Sequence, residues 1–169
     1  MTNISRKVIS PLFNTSCCSG RLDMAQWLHQ MCHMTPEEVK MDDNRVFRYS
    51  CAHGHLSVAQ WLHQTFHMTP EEAKTEDNYA FRYSCAYGYL SVAQWLHQTF
   101  PMTPEEVKMI NNYAFRESCA QGHLPVAQWL HQTFHMTSEE AKTHNNYAFQ
   151  MSRMNGYPLV AQWLQDTFP

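Results

Sequence analysis

The tryptophans of this chain recur at one fixed interval. They stand at Trp27, Trp61, Trp95, Trp129 and Trp163, a step of 34 residues each time (27 to 61, 61 to 95, 95 to 129, 129 to 163). Each lies in the same Ala-Gln-Trp-Leu tetrapeptide, and the string Val-Ala-Gln-Trp-Leu-His-Gln-Thr-Phe recurs unchanged at 58–66, 92–100 and 126–134. A period of this length marks a solenoid, whose supersecondary units bury their apolar faces only by stacking on one another.

One unit is read from residue 78 to residue 111. Asn78 is expected to cap a short first helix, Tyr-Ala-Phe-Arg-Tyr-Ser-Cys-Ala, which Gly88 ends. Phe81, Ser84, Cys85 and Gly88 follow at steps of three and four and give that helix one apolar or small face. A second helix runs from Leu90 to about Phe100. Leu90, Ala93, Leu96 and Phe100 form its buried stripe, Val92 and Trp95 widen it, and Gln94, His97 and Gln98 take the polar side. Thr103-Pro104-Glu105-Glu106 then has Thr at N-cap, Pro at N1 and Glu at N3, a capping box that predicts a short connector helix. Thr35–Glu38 and Thr69–Glu72 repeat it, and Thr137–Glu140 keeps the box without proline. The expectation is an all-α solenoid: a lead-in over 1–12, then units over about 13–43, 44–77, 78–111, 112–145 and 146–169. The last unit carries Met151, Arg153 and Met154 where inner units have other residues, Cys and Ala among them.

Two repeat families have a period near this length, and the residues separate them. Tetratricopeptide repeats place Trp early in the first helix, whereas here it lies in the second. Gly54-His55-Leu56-Ser57-Val58 and Gly122-His123-Leu124-Pro125-Val126 resemble the segment opening the second ankyrin helix, and Ser118-Cys119-Ala120-Gln121-Gly122 is similar to the small-residue run before it. Tyr113-Ala114-Phe115-Arg116 stands where ankyrins have Thr-Pro-Leu-His, so capped connector helices are expected in place of β-hairpins. The combined pattern, over 13–169, is similar to ankyrin-like repeats of large DNA viruses of amoebae and of some protists. The resemblance implies a non-catalytic scaffold that binds a partner protein, a host protein if the chain is viral, through a concave first-helix surface.

Composition narrows the alternatives. With 12 Lys and Arg against 15 Asp and Glu, the net charge is -3, which lacks the basic excess that phosphate backbones require, so nucleic acid is not expected as a partner. No apolar run is long enough for a membrane helix, and Met1–Leu12 has no apolar core of the kind a secretory signal needs. A cytoplasmic setting with six reduced cysteines follows as the expectation. Cys17, Cys51, Cys85 and Cys119 recur at the period and are read as buried packing residues.

Catalysis finds no foothold: there is no nucleophile with a matched His and acid, and no phosphate-binding glycine loop. The paired glutamates are read as caps of the connector helices. His29 and His33, His63 and His67, and His131 and His135 are spaced four apart, as metal ligands on a helix would be. No Cys-x-x-Cys or completing carboxylate joins them, so they are read as a solvated helix face and no metal or cofactor is expected. Trp95 is read as core.

In units this similar, the positions that vary carry the information. After each Phe-Arg or its equivalent come Tyr49, Tyr83, Glu117 and Met151; four residues on stand His53, Tyr87, Gln121 and Asn155. Tyr and His supply aromatic area with polar tips, the makeup of binding hot spots. Met109 and Ile110, at a variable connector end, add an apolar candidate contact. Two other readings remain open at this stage: an adaptor to host ubiquitin machinery, and a structural array that self-associates or binds metal through its histidines.

Overall fold

The computed structural model describes residues 6–169, so the first five residues of the predicted lead-in lie outside it. The described residues form fourteen helices and no strand: α1 (Arg6–Cys18), α2 (Leu22–Cys32), α3 (Pro36–Val39), α4 (Met41–Ala52), α5 (Leu56–Phe66), α6 (Pro70–Ala73), α7 (Thr75–Ala86), α8 (Leu90–Thr99), α9 (Pro104–Val107), α10 (Met109–Ala120), α11 (Leu124–Phe134), α12 (Ser138–Ala141), α13 (Thr143–Met154) and α14 (Pro158–Thr167). Helix α1 runs straight through the expected boundary at residue 12. Among the described residues no helix is long and apolar enough to cross a membrane.

The first helices lie directly against one another, α1 on α4, α4 on α7, α7 on α10 and α10 on α13. Small side chains allow this approach: Cys17, Cys51, Cys85 and Cys119 have no exposure at all, and burial pushes their thiols well above the usual range. Each first helix then turns back into a second, α7 into α8 for example, at a glycine in the left-handed region. At Gly88 (φ +81) a side chain would meet the His123 ring of the next unit within 2.5 Å, so both the backbone and the packing demand glycine.

Short helices α3, α6, α9 and α12 each show the full capping box. In α9 the Thr103 Oγ1 accepts from the Glu106 N–H at 3.3 Å while Glu106 Oε2 accepts from the Thr103 N–H at 2.8 Å. The same glutamates also reach the preceding unit. Lys40 lies 2.8 Å from Glu72, Lys74 lies 2.9 Å from Glu106 and Lys108 lies 2.7 Å from Glu140. Capping is therefore only half of what these residues do.

One expected feature is absent. Asn78 does not cap the first helix: it is buried, its Oδ1 accepts no bond, and its Nδ2 donates to the Glu106 carbonyl at the far end of its own unit at 3.3 Å. Instead Glu76, Asp77 and Asn78 form three successive left-handed residues with φ of 54, 53 and 59. Triads 42–44, 110–112 and 144–146 do the same. Asn and Asp tolerate this conformation better than other side-chain-bearing residues, which explains their frequency here. In three of the four a buried arginine holds the triad: Arg82 Nε donates to the Asp77 carbonyl at 2.6 Å and Nη2 to the Glu76 carbonyl at 3.1 Å. Arg48 and Arg116 repeat the clamp, and Gln150 makes one such bond, at 2.9 Å to Asn145.

The second helices correct two expectations. Trp61, Trp95, Trp129 and Trp163 are half-buried rather than core. Each wedges against the previous unit: Trp95 lies 6.2 Å from Phe47 and 6.2 Å from His63 by ring centres. His29, His63, His97 and His131 are likewise half-buried, not part of a solvated stripe, with His63, His97 and His131 held edge-on to the next unit's Phe100, Phe134 and Phe168 at 4.9–5.0 Å, whereas His33, His67 and His135 are exposed. Val92 is fully buried, while Leu90, placed in the main stripe by its spacing, is only partly so.

Candidate interaction surface

The candidate surface grows from the first helices. Because α4, α7 and α10 lie side by side, residues at equal positions become neighbours across units. Tyr49 stacks on Tyr79 at 5.7 Å between ring centres and on His53 at 5.9 Å. Tyr79 stacks on Tyr83 at 4.2 Å, and Tyr83 meets Tyr113 at 5.4 Å and Tyr87 at 5.8 Å. The rings thus form one unbroken ladder over three units.

The triad arginines support this ladder from beneath. Their guanidinium carbons lie over rings of the following unit: Arg48 over Tyr79 at 5.1 Å, Arg82 over Tyr113 at 5.2 Å and Arg116 over Tyr147 at 5.0 Å. Arg45 covers Tyr49 at 5.3 Å. Cation–π contacts of this kind contribute about 0.5–2 kcal/mol each, more as they are desolvated. Burial, and then the neighbouring Tyr49, push the Tyr79 phenol up to about 12; burial first, then Tyr83, raises Tyr113 as well. These phenols stay protonated and act as neutral hydrogen-bonding tips.

The structure brings Tyr49, His53, Tyr83 and Tyr87 together, as their sequence positions suggested. It separates them by exposure: Tyr87 and His53 are open to solvent, whereas Tyr49 and Tyr83 are half-buried in the ladder. Glu117 belongs to the same face, where burial first and then its carboxylate raise the phenol of Tyr147. Gln121 and Met151 are partly buried on α10's end and on α13. Asn155 is engaged elsewhere, donating through Nδ2 to the Ala120 carbonyl at 2.8 Å. Met109 is partly buried beside Asn78, and Ile110 is 43% exposed in a left-handed triad.

The ladder also contains residues outside the variable positions. Tyr79, Tyr113 and Tyr147, and Arg48, Arg82 and Arg116, recur in register at the 34-residue step. That shared register was the available signal. Among the described residues no group of three or more His, Cys, Asp or Glu side chains is placed to hold a metal ion. Neither a family model nor a curated protein matches the chain.

Proposed function

We propose that the chain is an ankyrin-like solenoid of five 34-residue units acting without catalysis, as a scaffold that binds a partner protein through its first-helix face. The observation that carries this reading is the Tyr49–Tyr79–Tyr83–Tyr113 ladder, with His53 and Tyr87 exposed on it. Rings already held by stacking and by buried arginines lose little conformational freedom when a partner arrives, so more of the contact energy appears as affinity. Aromatic side chains with polar tips are also the groups that most often dominate protein interfaces.

The test compares immobilised wild type with a double variant, His53→Ala and Tyr87→Ala, in affinity capture from cell lysate. Both side chains are exposed, so the variant should melt close to wild type while losing the captured protein. A captured set unchanged by the variant would place binding elsewhere. Tyr49 and Tyr83 are poorer probes, because their removal breaks the ladder and costs stability.

A further inference from the structure

The tyrosine ladder zigzags between two positions of each first helix, and a charge stands at each end of it. One row holds Tyr79, Tyr113 and Tyr147, and 34 residues before Tyr79 stands Arg45. The other row holds Tyr49 and Tyr83, and 34 residues after Tyr83 stands Glu117. The contacts follow that order. The Arg45 guanidinium carbon lies 5.3 Å from the centre of Tyr49, and Tyr49, Tyr79, Tyr83 and Tyr113 follow ring on ring. Glu117 comes next, near enough to Tyr113 and Tyr147 for its carboxylate to add to the rise that burial causes in both phenols. Beyond these ends the same positions are uncharged, with Pro11 and Thr15 in the first unit and Met151 in the last.

Both charges are held against the ladder and left unpaired. Among the described residues neither Arg45 nor Glu117 has an ion-pair partner, unlike the lysines and glutamates of the connectors. Arg45 does not pair even with Asp42 or Asp43, earlier in α4. Nor can the two neutralise each other. Neighbouring packed helices lie about 10 Å apart, so charges two units apart are separated by roughly 20 Å. That exceeds the screening length of physiological salt.

What lies between the charges also selects a partner. The ring faces are taken by neighbouring rings and by the guanidiniums of Arg48, Arg82 and Arg116, which leaves edges and hydroxyl tips. Hydroxyl tips match the open backbone N–H and C=O groups of an extended segment, whereas a helix bonds those groups internally. We propose that the ladder holds an extended segment of a partner protein, with a carboxylate side chain at Arg45 and a Lys or Arg at Glu117. This rests on the first-helix face being the binding surface. At about 3.3 Å per residue, the two charged residues of the segment stand roughly six apart. Opposite charges at its ends fix the direction in which it crosses α4, α7 and α10.

Panning a phage-displayed library of random linear peptides on the immobilised chain tests this. Enriched peptides should carry an acidic and a basic residue about six apart. A synthetic copy should bind poorly to the double variant His53→Ala and Tyr87→Ala. Glu117→Lys should weaken that copy roughly tenfold or more by setting like charges together, and changing the peptide's basic residue to Glu should restore binding. Arg45→Glu, with the peptide's acidic residue changed to Lys, gives the same exchange at the other end. Restored binding also shows that the reversed variants are folded. Enriched peptides without the charge pair, an affinity that neither reversal moves, or losses at both ends that the exchanged peptides fail to restore would each overturn the proposal. If such peptides still need His53 and Tyr87, the face itself stands; peptides indifferent to both would move binding off the face. A library from which nothing enriches would also overturn the proposal, because the ladder then takes no linear segment.

Discussion

At the scale of single residues, the stack depends on side chains whose work lies in a neighbouring unit. Trp95→Ala removes contacts to Phe47, His63 and Phe100 and should cost about 2–4 kcal/mol, near the lower part of the range for large-to-small changes because the ring is only half-buried. Trp27→Ala, which removes no such ring contact among the described residues, should cost under about 1 kcal/mol. Urea unfolding of the two variants measures the difference; equal losses would contradict the wedge. Glycine gives a similar contrast. Gly88→Ala and Gly156→Ala share the same left-handed strain of roughly 1–2 kcal/mol, but only Gly88 has a ring, His123, in the way. Gly88→Ala should therefore be the more damaging. Ile110 holds φ 54 with a β-branched side chain where other units have Asp42, Glu76 and His144. Ile110→Asn should raise stability by about 1 kcal/mol, read as a higher melting temperature.

At the scale of elements, some features are legible from local sequence and others are not. Capping boxes were readable because Thr-Pro-Glu-Glu contains both partners of the box. The left-handed triads were not, because an Asn before an apolar-periodic run has the same local signature whether it caps a helix or tolerates a positive φ. Only the buried Arg48, Arg82 and Arg116 distinguish the two, through bonds that join residues five and six apart. The burial of His63 and His97 is hidden for a related reason. A helical wheel shows His63 and His97 on the polar side of their own helix, yet that side is roofed by the next unit's Trp and Phe. The consequence is a pH dependence. Burial lowers the pKa of His97, His55 and His123 below the ordinary value, so the unfolded chain takes up protons first as pH falls. Stability should be full above about pH 7 and decline as pH drops through roughly 6.5 and below. Urea midpoints at several pH values would show this slope, and His97→Gln should flatten it. A midpoint that rose on acidification would contradict the assignment.

At the scale of the whole molecule, succession along the chain becomes succession in space. Two kinds of tie join successive units, Lys to Glu and Trp to Phe and His, as between Lys74 and Glu106 and between Trp95 and Phe47. The equal step between ties aligns Tyr49, Tyr83 and Glu117 on one side, and so turns a repeated sequence into a continuous surface. The variable positions of that surface were visible in the sequence. Its supporting rings, Tyr79 and Tyr113, were not singled out, because invariance within the units drew attention away from them. Hydrogen–deuterium exchange of the chain with its captured partner bound tests the central claim most directly. The account predicts new protection in α4, α7 and α10, around residues 49–53, 83–87 and 117–121. Protection confined to the second helices α5, α8 and α11 would contradict it.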